Sequence, residues 1–303
     1  MESIFKPEII NYMKSVSIED TFSNENKLRH PGGIYNSASL YVTKSLNKFI
    51  DLLETEDIEA IGEQFRVLLY DFFKFYDSSY EILACFCHGR NPLKKKEFID
   101  KWITKNGYSC SNDLKNLLQN DISNLKYLYN KFKHTSNFAG YITIDTGEFK
   151  VFGYYLIAYD GTGAQLNADN DIYPISFYRE AKNFFYLIHE ISKSLLDTLK
   201  IHIATHNNKI DFKAIETPST IAWEELYNKV RALPKRYFKN EIGKVIFEPK
   251  IQNDRIVFDQ EILTDDNWSK EYPDSPMNIN FRTEGDGYTK EFKVPHMGMR
   301  PTQ

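Results

Sequence analysis

The 303 residues carry 38 Lys and Arg against 42 Asp and Glu, a formal charge of -4 with an isoelectric point near 6.0, and a chain so balanced does not coat DNA or an anionic membrane through its overall field. With 42% hydrophobic and 15% aromatic residues it has material for a large core built on packed rings, and no apolar run approaches the length of a membrane span. Cys85, Cys87 and Cys110, in a chain whose start (Met1, Glu2, Lys6, Glu8) lacks the pattern of a cleavable leader, point to a reduced, cytoplasmic protein.

In chain order, 1–38 reads as a polar N-terminal segment closing on the turn signal Arg29-His30-Pro31-Gly32-Gly33. Helical spacing then dominates. Leu46, Phe49, Ile50 and Leu53 mark one helix, and Ile58, Ile61, Phe65, Leu68, Leu69, Phe72, Tyr76, Leu83 and Phe86 mark a longer one that stops at Gly89-Arg90-Asn91-Pro92. A lysine-rich helix is predicted over 93–105, and Ser111 and Asn112 are placed to cap a helix reaching His134. The segments 141–145 and 149–159, rich in Ile, Val, Phe and Tyr around Asp145-Thr146-Gly147, predict a β-hairpin inserted between helices. A long helix follows, with Phe177, Phe184, Phe185, Ile188, Ile191, Leu195 and Leu199 on its buried side, ending near His206.

Beyond 207 the pattern predicts a helix from Ser219 or Thr220 through Leu233, a short helix over 235–242, and two hairpins, 245–251 with 255–263 and 277–283 with 288–294. The expected fold is therefore α+β and mainly α. An antiparallel helical bundle with an inserted hairpin spans 39–207, and a small mixed α+β domain spans 208–303.

The helix over 112–134 carries the candidate chemistry. Leu114, Leu118, Ile122, Leu125, Leu128 and Phe132 fall in one stripe, whereas Asn130 and His134 project to the opposite side with Lys126 and Lys133 flanking them. Residues 94–134 hold nine Lys against four acids, whereas 241–303 hold twelve acids against eight bases. Lysines beside exposed polar donors and Tyr127 suit a phosphate-bearing polymer, preferably single-stranded RNA whose bases stack on rings. The plainer alternative is a solvated helix end with His and Lys complementing its dipole.

Tyr129-Asn130-Lys131-Phe132-Lys133-His134, near the end of a bundle helix, resembles the HEPN superfamily, in prokaryotic branches where a Lys-His pair follows an Asn. Phe152-Gly153-Tyr154-Tyr155, Asn183-Phe184 and Ile191-Ser192 add to a similarity covering about 40–206. The resemblance implies a toxin-antitoxin or antiviral defence protein acting on RNA, a metal-independent endoribonuclease assembled as a homodimer, with a cognate antitoxin or defence protein as partner. It makes His134 the general acid or base, Asn130 the residue orienting substrate or histidine, and Lys133 or Lys131 the replacement cation, because Tyr129 stands where the family carries Arg. Lys126, Tyr127, Tyr129 and Lys131 would contact RNA. The same residues also fit a catalytically inactive HEPN-like scaffold that binds RNA, nucleotide or a partner protein.

Other patterns are weaker. Cys85-Phe86-Cys87-His88 offers zinc ligands that only Cys110 could complete, but one residue rather than two separates the paired cysteines, so no metal or cofactor is assigned. His202 and His206, four apart with no Glu after the first, read as a helix end, and Asp160-Gly161-Thr162-Gly163 reads as a turn. Asp274, Glu291 and Lys293 are spaced like a metal-dependent PD-(D/E)xK nuclease, a rival reading in which two carboxylates hold magnesium.

Overall fold

The computed structural model describes residues 4–90, 93–94, 97–134, 139–145, 149–156, 174–206, 210–216, 218–238, 241–264 and 278–283. The protein is a mainly helical α+β fold in which four long helices form an up-down-up-down bundle. Those helices are α2 (Pro31–Leu53), α3 (Ile58–Cys85), α5 (Cys110–His134) and α6 (Phe177–His206). Short helices α1 (Ile9–Met13), α4 (Ile99–Lys105) and α7 (Trp223–Ala232) pack around them.

Ring pairs fix the directions of the long helices. Phe49 meets Phe65 while Tyr35 meets Phe75, so α2 and α3 run antiparallel. Tyr129 lies on Phe73, and Cys110 lies beside Cys87 just past the end of α3, so α5 opposes α3. Phe49 and Phe65 both contact Phe177 at the start of α6, whereas Tyr35 hydrogen-bonds Ser192 further along it. Helix α6 therefore runs against α2 and with α3.

Local chemistry explains the helix starts. Asp57 caps α3 by accepting from the amides of Glu59 and Ala60, both at 3.1 Å. Helix α2 begins inside the Pro-Gly-Gly run that the sequence suggests as a turn. Pro31 occupies the first helical position, where its missing N–H costs nothing, and His30 Nδ1 accepts from the Gly32 amide at 3.0 Å. Helix α4 starts at Ile99, later than the predicted 93, and α5 starts at Cys110, where the Ser109 carbonyl accepts from the Asn112 and Asp113 amides. The polar N-terminal segment still supplies core side chains, with Phe5, Ile9, Ile10, Met13 and Val16 all buried.

The inserted hairpin is β1 (Ala139–Asp145) with β2 (Lys150–Leu156), and β3 (Ile175–Ser176) adds to β2. Strand β6 (Asn278–Thr283) pairs antiparallel with β1, closing an order of β3-β2-β1-β6, whereas its predicted hairpin partner, 288–294, lies outside the described residues. The sheet caps one end of the bundle, with Tyr154 stacked on Phe65 at 5.0 Å and Tyr141 lying over Gly62, where a Cβ would meet its ring at 2.2 Å. A second hairpin, β4 (Val245–Gln252) with β5 (Arg255–Ile262), turns at Asn253 and Asp254, whose φ values of 51° and 56° suit a tight primed turn.

That hairpin lies on α6 through Tyr186 and Phe247, stacked at 3.7 Å, and through the ion pair of buried Lys182 with half-buried Glu248. Trp223, Leu226, Tyr227 and Val230 of α7, with Tyr237 and Leu263, join the same core cluster as the bundle. Of the short helix predicted over 235–242, residues 235–238 are instead irregular chain, anchored by buried Glu241, which itself sits in a 3-10 turn. None of the helices searched among the described residues is long and apolar enough to cross a membrane.

Candidate functional site

Helix α5 divides as its sequence predicts: Leu114, Leu118, Ile122, Leu125 and Leu128 are buried, whereas Lys126 and Asn130 are exposed. The helix continues to His134, one turn beyond Asn130. The side chains of Tyr127, Lys131, Phe132, Lys133 and His134 lie outside the described residues, as do Asp274, Glu291 and Lys293 and the 160–163 turn. Tyr129 is half-buried, its ring stacked on Phe73 with centroids 4.5 Å apart, so one of its faces is occupied within the protein.

The other end of α5, about 30 Å away at 1.5 Å per residue, holds a cluster of which the sequence suggested Cys87 and Cys110 but not His202. Cys87 Sγ stands 3.8 Å from Cys110 Sγ and 3.7 Å from His202 Nε2, and the three ligating atoms lie within 4.8 Å of one another. All three residues are buried. Each comes from a helix terminus: Cys87 just past α3, Cys110 at the first position of α5, and His202 in the last turns of α6. The turn carrying Cys87 is clamped from the N-terminal segment, because buried Asn26 donates to the carbonyls of Ala84 and Cys87 at 2.8 and 2.9 Å, and the Phe22 amide donates to Cys85.

The neighbours in the Cys85-Phe86-Cys87-His88 run point elsewhere. The Cys85 thiol donates to the Glu81 carbonyl at 3.3 Å, and His88 sits at the surface 3.7 Å from Glu25. The structure thus takes one ligand from that run and draws the other two from distant helices. His206, read as a helix end, is adjacent: its ring centroid lies 4.9 Å from that of His202, and Tyr108 sets its edge against both rings at 5.3 and 5.4 Å.

The three side chains set one another's charge. Hydrogen bonding to Cys110, together with burial, pushes the Cys87 thiol far up. The same bond pulls Cys110 down against its own burial, helped by His202 and the Ser111 amide. Burial works against the charged form of His202, but Cys110 and the Phe86 carbonyl hold it above its ordinary value. The arrangement can hold a thiolate beside an imidazole, or present two sulfurs and a nitrogen to one metal ion.

Two further clusters are structural in their contacts. Buried Glu241 accepts from the Ser176 amide at 3.2 Å, the Phe238 amide at 2.9 Å and Arg179 at 3.3 Å, tying irregular chain to the start of α6. Burial raises its carboxyl to about 7 despite Arg179. A surface cavity of about 510 Å³ beside α7 is lined by Ser219, Trp223, Glu225, Asn228 and Lys229, but Lys229 is already paired with Asp51 and Glu225.

Comparison with protein-family models, with curated proteins and with solved structures finds no match for this chain.

Proposed function

We propose that this protein acts on single-stranded RNA through the polar side of the C-terminal half of α5, as a metal-independent endoribonuclease of a HEPN-like toxin or antiviral defence system. The observation that supports this reading is the division of α5: its apolar stripe is spent on the core, leaving Lys126 and Asn130 in solvent one turn before His134. In this reading His134 takes the proton of a ribose 2′-hydroxyl or gives one to the leaving oxygen, Asn130 orients the reacting group, and Lys131 and Lys133 supply positive charge to the phosphate. The partners are RNA, a second copy of the chain and a cognate antitoxin or defence protein.

The test is incubation of the pure protein with end-labelled single-stranded RNA, with EDTA and, in a parallel arm, with added magnesium, read on native and denaturing gels. Cleavage that persists with EDTA and disappears in His134→Ala, with helical content retained, supports the reading. Equal cleavage by His134→Ala discards it, and cleavage that requires magnesium assigns the activity to Asp274, Glu291 and Lys293 instead. A second reading, a scaffold that binds RNA without cutting it, is favoured by the Tyr129–Phe73 stack, which commits the family's arginine position to packing. Bound but intact RNA supports that reading.

A further inference from the structure

We propose that Cys87, Cys110 and His202 are three ligands of a zinc(II) ion that pins together the ends of α3, α5 and α6, with exposed His206, whose ring lies 4.9 Å from that of His202, the candidate for the fourth. This goes beyond the RNA reading and does not rest on it.

The argument is geometric. In a tetrahedral zinc site, with Zn–S near 2.3 Å and Zn–N near 2.0–2.1 Å, two sulfurs stand about 3.8 Å apart and a sulfur and a nitrogen about 3.6 Å apart. The observed edges are 3.8 Å between Cys87 and Cys110 and 3.7 Å between Cys87 and His202, and the remaining edge lies within 4.8 Å. Three buried side chains at positions separated by 23 and 92 residues along the chain thus match two edges of such a tetrahedron and keep the third within 4.8 Å.

His206 follows His202 by four residues and so stacks on the same side of α6, its ring already against that of His202. The ligand backbone is held in advance, Cys87 by Asn26 and Cys110 by the capping turn at Ser109. His202 Nε2 faces the Phe86 carbonyl at 3.1 Å, and because a carbonyl only accepts, Nε2 carries the proton there. Coordination through Nε2 would require that nitrogen to be free of its proton and both sulfurs to be thiolates, so affinity would fall in acid.

The experiment is titration of the reduced, chelator-treated full chain with cobalt(II), followed by back-titration with zinc. The expected result is one equivalent of cobalt with intense thiolate-to-cobalt absorption and tetrahedral d–d bands, both abolished by one equivalent of zinc, and a rise in melting temperature on metal addition. Cys110→Ala and His202→Ala should lower the bound equivalents to near zero. His206→Ala should weaken binding at least tenfold while keeping the thiolate absorption. Cys85→Ser, a buried thiol beside the cluster but outside it, should bind as the parent does. No thiolate absorption from the folded parent at saturating cobalt overturns the proposal without reference to any variant's stability. Unchanged binding in Cys110→Ala, or loss of binding in Cys85→Ser alone, overturns the ligand assignment. None of these readouts involves RNA, so the metal site and the RNA reading fail independently.

Discussion

The Tyr129 ring lies on Phe73 with centroids 4.5 Å apart and planes 28° from parallel, joining α5 to α3 at the position where the resembled family carries arginine. An aromatic pair of this kind is worth about 0.5–1.5 kcal/mol beyond the area it buries. Tyr129→Ala should therefore cost about 1–2 kcal/mol in urea denaturation, and Tyr129→Phe should recover most of it. Tyr129→Arg is the sharper variant, since a guanidinium also stacks on a ring and would add the missing cation. If RNA binds along this helix, its affinity should rise severalfold in Tyr129→Arg, and unchanged or weaker binding would remove this position from any RNA contact.

The main helices were legible because the spacing of Leu, Ile and Phe over 46–86, 114–128 and 177–199 is a local signal that packing then obeys. The start of α2 was misread because Pro and Gly punctuate turns and helix starts alike. What decides between them is His30 accepting from Gly32 while its other ring nitrogen reaches the Val16 carbonyl at 2.8 Å. The pairing of β6 with β1 joins residues more than 130 positions apart, and no turn residue announces it. The sequence offered Cys87 and Cys110 together, in a set with Cys85 and His88, but the part of His202 in the cluster was missed for the same reason. Zinc spacing rules look for ligands two to four residues apart, whereas these meet only when three helix ends converge. Their one sequence signal is that each falls next to a predicted helix terminus.

Glu241 gives stability a definite pH dependence. Burial raises its carboxyl from 4.5 to about 7 in the folded chain, so between these values the unfolded chain gives up a proton that the folded chain keeps. Its contribution is fully present below pH 4.5 and is lost as pH rises through about 7. The loss amounts to about 3 kcal/mol at 1.36 kcal/mol per pKa unit. Glu180, also raised by burial, acts in the same direction. Glu241→Gln should be less stable overall, because an amide cannot accept all of the bonds from Ser176, Phe238 and Arg179, but its stability should vary less over that interval. Denaturation curves at several pH values read the slope, and a variant as steep as the parent would show that Glu241 is not the group responsible.

Lys182 and Glu248 tie the β4–β5 hairpin to α6, and the lysine side chain is only 2% exposed. Burial lowers the lysine pKa even with the carboxylate beside it. Removing one partner leaves a buried charge uncompensated, so Glu248→Gln should cost about 3–5 kcal/mol, whereas Lys182→Met combined with Glu248→Leu should cost much less. The Glu248→Gln variant should gain stability as pH rises, because its folded state sheds the lysine proton before the unfolded state does. A single variant no less stable than the double would show that the pair is not buried as a unit.

Two glycines should respond in opposite ways to alanine. At Gly153 a Cβ would lie 2.2 Å from the Ile175 carbonyl oxygen and 2.3 Å from the Phe238 ring, and the carbonyl belongs to the paired strand, so it cannot swing aside. Gly153→Ala should destabilise by about 1–3 kcal/mol. At Gly33, in the first turn of α2, nothing lies within 4 Å. Gly33→Ala should stabilise by about 0.5–1 kcal/mol, through better helix propensity and a less flexible unfolded chain. Thermal melts of the two variants should bracket the parent, and equal shifts would contradict the close strand approach at Gly153.

If RNA lies along the C-terminal half of α5, its affinity must depend on salt in proportion to the phosphates neutralised there. For a single strand, log K falls with log salt at a slope of about -0.7 per phosphate contacted. Lys126, exposed on that side of the helix, should account for about one such contact. Lys126→Ala should therefore weaken binding at low salt and make the slope shallower by about 0.7, with little effect near 1 M salt, where screening has removed the advantage. Lys250, exposed on β4 and paired with Asp259, serves as the control for a change in overall charge. Lys126→Ala and Lys250→Ala alter net charge equally, so identical slopes in the two variants would mean that RNA senses the whole protein's field rather than this helix, and α5 would then be an ordinary solvated face.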